Sequence, residues 1–336
     1  MKIGILSSGG DCPGINATIR GVGKSALNHN IEVLGIYSGF RGLLDKDVIP
    51  LNDTNLSGLL NLGGTILGTS REKPFKKMLK EDHTTSELIK KNYHELGLDC
   101  LVCIGGNGTQ KTAYNVSQLG LNVITIPKTI DNDVWGTDIT FGFDSAIQIA
   151  TDAIDRLHST ASAHKRVMVI ELMGHKAGWL ALYAGMAGGA DVILLPELGY
   201  NMEEINRAIL ERVQKGKPYS IVVIAEGVSI QGEEYRPSTV LSKLIEKGTN
   251  IETRETILGY VQRGGTPTAF DRNLATRLGG HATQLIMDGK FGCMVCMKDN
   301  NIQSIPLEET AGKLKMVPIN HDLIVQGKRI GISFGV

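Results

Sequence analysis

The sequence carries no excess of basic charge: lysine plus arginine number 35, and aspartate plus glutamate number 35. A non-specific nucleic-acid surface leaves a net positive balance, so nucleic acid is not an expected partner. No apolar run approaches the roughly 20 residues of a membrane-spanning helix, so a membrane is not expected either. The first residues, Met1 to Leu6, read as the start of a strand and lack the apolar core of a signal peptide. The expected compartment is therefore the cytoplasm. Cysteine is scarce, with five residues, which fits a reducing compartment better than a disulfide framework. Two pairs, Cys100/Cys103 and Cys293/Cys296, have the spacing of zinc half-sites. Each pair lies in an apolar run that reads as a strand, where residues three apart face opposite ways. They are read as small core residues. Aromatic residues make up only 5% of the chain.

Glycine, by contrast, is abundant at 41 of 336 residues. Much of it falls in pairs just after apolar runs, where backbone must approach a ligand closely. The length suits about two domains of roughly 150 residues each. Strand patterns at residues 2–6, 31–37, 101–104, 121–126, 166–171, 191–195 and 220–225 alternate with helical spacing at 15–22, 110–119 and 146–158. That alternation predicts an α/β chain of two similar halves, each a mostly parallel sheet covered by helices. The charged stretch from Glu72 to Glu95 reads as a solvated helix without chemistry of its own.

Three junctions stand out. Ser7 to Gly14 joins a strand to a helix, and so does Gly105 to Thr109. A glycine pair at a helix N-terminus presents free N–H groups and the positive end of the helix dipole to an anion. The third, Pro127 to Asp133, follows a buried strand, and in open α/β sheets chemistry collects at the carboxyl ends of strands. Asp131 and Asp133 are two residues apart, so an extended segment would put both carboxylates on one side. Such a pair suits a general base beside a metal-organising group, with Lys128 and Thr129 facing the anion. Gly23-Lys24-Ser25 is not a P-loop, because Thr18 occupies the place of the required upstream glycine.

Ser8 to Gly14, Gly105 to Thr109, Pro127 to Asp133 and Gln262 to Gly265 occur in that order. Together they closely resemble the 6-phosphofructokinases over nearly the whole chain. The resemblance implies phosphoryl transfer to the 1-hydroxyl of fructose 6-phosphate, a glycolytic step, with Mg2+ as cofactor. It implies an active site in the cleft between two domains: 1–142 plus 262–312 for the nucleotide, and 143–261 plus 313–336 for the sugar phosphate. By resemblance, Asp131 is the base, and Thr129 and the amide of Gly10 hold the moving phosphoryl group. Arg71 contacts nucleotide phosphates, Phe40 lies near the nucleotide, and Gly108 and Thr109 belong to the same nucleotide loop. Asn107 and Asp133 are the metal-site positions. Met173, Gly174 and Glu226 contact the sugar, and Arg263 with Tyr260 holds its 6-phosphate. Arg166 and Arg254 match positions contributed by a neighbouring subunit, which implies a homo-oligomer, usually a tetramer, of an allosteric enzyme.

The sequence also departs from the common bacterial ATP enzymes. They carry aspartate at Asn107, arginine at His175 and glycine at Lys128. Lysine at 128 marks the pyrophosphate-using relatives and could supply the cation that His175 provides only in part. Pyrophosphate users place aspartate at Gly108, where its carboxylate would fill and repel the space of the ATP α-phosphate. Gly108 leaves that space open, and exclusion outweighs an added lysine compatible with either anion, so ATP is the expected donor. The alternatives are pyrophosphate as donor, or a non-catalytic regulatory paralogue. At the family's effector site the chain keeps Arg20, Lys24, Lys215 and Lys217. It has His158 in place of one arginine, and Asp53 near the place of another, so a weakened response to ADP and phosphoenolpyruvate is expected.

Overall fold

The computed structural model describes residues 1–72, 74–77, 84–230 and 236–336. Its strands are β1 (Lys2–Ser8), β2 (Glu32–Ile36), β3 (Val48–Pro50), β4 (Cys100–Gly105), β5 (Val123–Pro127), β6 (Val167–Leu172), β7 (Val192–Leu194), β8 (Ser220–Ala225), β9 (Thr253–Ile257), β10 (Cys293–Lys298) and β11 (Asn301–Pro306). Its α-helices are α1 (Ile15–Asn28), α2 (Phe40–Asp45), α3 (Thr84–Glu95), α4 (Asn107–Ser117), α5 (Phe143–His164), α6 (Trp179–Ala187), α7 (Met202–Gln214), α8 (Pro237–Thr249), α9 (Ala269–Met287), α10 (Leu307–Thr310) and α11 (Asp322–Arg329). The chain forms two compact units: residues 1–129, 134–145 and 263–314 make the first, and 130–133, 146–262 and 315–336 the second.

The first unit is built on a seven-stranded sheet in the order β11-β10-β5-β4-β1-β2-β3. Only the edge pairs β2/β3 and β10/β11 are antiparallel. Every residue of β4 and β5 is buried, as unbroken apolar runs covered on both faces require. From β1 the chain steps to β2 on one side, and later returns to β4 and β5 on the other. The C-terminal ends of β1 and β4 therefore flank a topological switch point, where open α/β sheets bind ligands. α1 and α9 pack with their backbones close. A Cβ at Gly21 would stand 3.0 Å from the Thr276 carbonyl oxygen, and one at Gly279 only 2.8 Å from the Val22 nitrogen.

The second unit holds a four-stranded sheet, β7-β8-β6-β9, parallel throughout. β6 and β8 are wholly buried. β9 buries Thr253 and leaves Arg254, Glu255 and Ile257 exposed. An edge strand of this polarity has no apolar period, which is why its sequence did not announce it. The expected solvated helix at Glu72–Glu95 is a short 3-10 turn, Pro74–Lys77, and then α3; residues 73 and 78–83 of that expectation lie outside the described residues. The four paired cysteines sit on β4 and β10 and are buried, as the strand reading required. No helix among the described residues is long and apolar enough to cross a membrane.

Candidate active site

In the first unit, three strand ends converge. The backbone N–H of Lys128 donates to the Gly105 carbonyl (3.1 Å), joining the ends of β4 and β5. The Thr109 hydroxyl donates to the Ser8 carbonyl (3.3 Å), joining α4 to the end of β1. Both helices at the switch point start from a glycine, Gly14 for α1 and Gly106 for α4. Neither has a side-chain cap or an acidic residue in its first turn. The positive dipole end of each helix is thus not offset by a carboxylate of its own first turn. Asn107 and the exposed Gly108 form the first turn of α4.

Two cations are tied to the β1–α1 loop. The Lys128 side chain is 2% exposed, and its ammonium donates to the carbonyls of Ser8 (3.2 Å) and Gly10. Arg263 donates from Nη1 to the Asp11 carbonyl (3.0 Å). Its guanidinium lies so close to Gly10 that a Cβ there would stand 2.7 Å from Nη1, so any larger residue would displace the end of the arginine. Cys12, in the same loop, is fully buried, and burial pushes its thiol up to about 12, so it remains a protonated core group. The segment preceding Arg71 is stitched to this loop: Gly9 N–H donates to the Ser70 carbonyl (2.9 Å) and the Thr69 hydroxyl to the Gly9 carbonyl (2.8 Å). Arg71 itself is exposed. Thr129 is 7% exposed, and its carbonyl accepts from the Thr140 hydroxyl (2.8 Å).

The second unit carries the other candidates. Asp131 and Asp133 are 8% and 5% exposed. The segment is not extended, because Asn132 between them is left-handed, with φ 51°. A turn, not an extended strand end with both carboxylates on one side, therefore presents Asp131 and Asp133. Glu226 spends its Oε1 on backbone, accepting from the N–H groups of Gly174 (3.2 Å) and His175 (2.8 Å). That fixes a turn in which His175 is left-handed (φ 54°) and exposed. Gln262 Oε1 accepts from the Met173 N–H (3.3 Å), and Tyr260 is 70% exposed. Arg166 and Arg254 share one carboxylate. Glu252 accepts from Arg166 Nε through Oε2 (2.6 Å) and from Arg254 Nη2 through Oε1. The Arg166 hydrogen bond, foremost, holds the Glu252 carboxyl below its usual range.

Phe40 is placed differently from the expectation. Its ring is 1% exposed within the apolar core, so it packs the sheet rather than facing a nucleotide. Two residues went unnoticed in the sequence. Glu252 lies in a polar edge segment without a motif. Lys315 lies far from Asn132 in sequence, yet its ammonium donates to Asn132 Oδ1 (2.9 Å).

The two metal-site positions expected from the sequence fall in different units, Asn107 in the first and Asp133 in the second. Among the described residues no three His, Cys, Asp or Glu side chains form a metal cluster. A few hard oxygens suit magnesium, which keeps several waters and relies on substrate phosphates.

A family model described as "Phosphofructokinase" matches residues 2–286. The chain is 66% identical, over 100% of both chains, to a Bacteroides thetaiotaomicron protein named ATP-dependent 6-phosphofructokinase 3. It is 53% identical to a Spirochaeta thermophila ATP-dependent 6-phosphofructokinase, over 99% of this chain and 97% of that one. Among solved structures, phosphofructokinase from Saccharomyces cerevisiae superposes with a TM-score of 0.84 at 30% identity, covering 92% of this chain and 45% of the yeast chain.

Proposed function

The chain belongs to the phosphofructokinase family, and from that premise we infer that it is an ATP-dependent 6-phosphofructokinase. It transfers the γ-phosphoryl group of ATP to the 1-hydroxyl of fructose 6-phosphate, giving fructose 1,6-bisphosphate and ADP in glycolysis. The observation that carries this reading is the end-to-end 66% identity to a relative so named. The exposed Gly108 agrees with it, since no carboxylate there opposes an α-phosphate.

Phosphoryl transfer asks for positioning and charge more than covalent chemistry. Asp131 takes the proton of the 1-hydroxyl. The Gly10 amide and Thr129 hold the moving phosphoryl group. Lys128 and Arg263, both anchored on the β1–α1 loop carbonyls, give that loop a positive field; Lys128 offsets the phosphoryl charge and Arg263, with Tyr260, takes the sugar 6-phosphate. Arg71 and Thr109 bind the nucleotide phosphates beside the first turn of α4. Met173, Gly174 and His175 line the sugar, with Glu226 fixing their turn. Asn107 and Asp133 would hold magnesium, which when bound draws charge off the nucleotide phosphates. Arg166 and Arg254 serve the 6-phosphate of a neighbouring subunit in a homotetramer. Regulation by the family's effectors is weak, because Asp53 lies on Lys24 as an ion pair and His158 is engaged with the Gly188 carbonyl (2.7 Å) and the Tyr219 hydroxyl (3.2 Å).

The test is initial rate with fructose 6-phosphate, magnesium and either ATP or pyrophosphate. Turnover with ATP is expected, and Asp131→Ala should lower kcat by about 10²–10⁴-fold. Turnover with pyrophosphate alone would mean that Lys128, not Gly108, governs the donor. No turnover with either would return the chain to the regulatory class.

A further inference from the structure

Asn132 is a non-glycine residue held left-handed at φ 51° and 3% exposed. Such a conformation is disfavoured for a residue that carries a side chain and persists where surrounding contacts over-determine it. Two contacts on this turn come from one residue of the C-terminal segment. The Lys315 ammonium donates to Asn132 Oδ1 (2.9 Å), and its backbone N–H donates to the Asp133 carbonyl (2.9 Å). Lys315 is itself fixed. Its carbonyl accepts from Trp179 Nε1 (2.8 Å), and its ammonium lies 5.2 Å from the centre of the Trp179 ring, a cation–π distance. Two residues on, the Val317 N–H donates to Glu197 Oε1 (2.9 Å), and that carboxylate also accepts from the Gly178 N–H (2.9 Å) at the start of α6. The segment is therefore pinned to the N-terminus of α6 and in turn pins the turn that carries both aspartates.

We propose that Lys315 is a positioning residue for phosphoryl transfer: through Asn132 it sets the Asp131–Asp133 turn in its reactive conformation. This rests on the reading of Asp131 as the base. A methionine at 315 would keep the length and the packing on Trp179 but lose the donor to Asn132. A C-terminal clip, by contrast, would serve stability and leave the chemistry alone. Positioning to about half an ångström decides catalytic rates, so a loosened turn should appear in kcat.

The test is a double-mutant cycle with Lys315→Met and Asn132→Gly, glycine being the residue that accepts φ 51° without strain. Each variant should lower kcat at least tenfold, with the KM for fructose 6-phosphate within about twofold of the parent and the thermal midpoint little changed. The double variant should lose no more than either single one, because both remove the same interaction. Lys315→Arg should recover part of the rate. Losses that multiply in the double variant, a rise in KM at unchanged kcat, or a kcat within twofold of the parent would each overturn the proposal. So would a rate loss in Lys315→Met matched by a large fall in thermal midpoint and absent from Asn132→Gly. A parent enzyme inactive on fructose 6-phosphate would count against the proposed function instead, which separates the two failures.

Discussion

At the scale of single residues, the first unit holds a group whose charge is a liability. Asp271 is buried, and burial, foremost, pushes its carboxyl from 3.8 up to about 6, although its Oδ2 accepts from the Ser145 N–H (2.8 Å) and hydroxyl (2.6 Å). The folded state thus binds this proton more tightly than the unfolded one. Its contribution to stability is fully present below pH about 4 and is lost as pH rises through about 6. Asp271→Asn keeps an oxygen for Ser145 and removes the charge. At pH 7.5 it is expected to raise the free energy of unfolding by about 1–2 kcal/mol, with no gain at pH 4; urea melts at the two pH values decide it. The residue scale is also where the sequence was most legible. The glycines of the β1–α1 and β4–α4 junctions, Lys128, Thr129 and the Asp131–Asp133 run could be singled out as candidates because phosphate chemistry restricts which residues will serve. Lys315 and Glu252 could not. Each acts on a partner distant in sequence or through an unremarkable ion pair, and neither leaves a local pattern.

At the scale of elements, the buried parallel strands were plain from unbroken apolar runs, with ends shifted by a residue or two because the terminal hydrogen bonds, not hydrophobicity, set them. The polar edge strand β9 and helices α7 to α9 were not, since edge polarity and mixed helical faces blur the period. Phe40 shows the same limit from the other side: an aromatic after Gly39 could face a ligand or a core, and only packing chose the core. The α1–α9 contact gives a test in which two effects oppose. Alanine in place of a mid-helix glycine gains about 1 kcal/mol of helix propensity. At Gly279, however, the new methyl would meet backbone of α1, 2.8 Å from the Val22 nitrogen and 2.9 Å from the Thr18 carbonyl oxygen. Overpacking against backbone costs about 1–3 kcal/mol, so Gly279→Ala is expected to be net destabilising, with a lower urea midpoint at unchanged slope.

At the scale of the whole molecule, a site completed by a neighbour has a distinctive signature. Arg254 is half-exposed, and Glu252 holds it beside Arg166. If these arginines serve the adjoining subunit, Asp131→Ala and Arg254→Ala chains are each impaired alone. Mixed and reassembled, they form hybrid sites that take Asp131 from one chain and Arg254 from the other. Recovered turnover in the mixture is the expected outcome, and a rate equal to the mean of the parents would mean that each chain is self-sufficient. One further consequence lies in the cysteines. All five thiols are free and buried, distributed over the β1–α1 loop and two strands of the seven-stranded sheet. The second unit has none. The chain therefore carries its own unequal chemical clock: a thiol reagent would time the opening of one unit while remaining blind to the other.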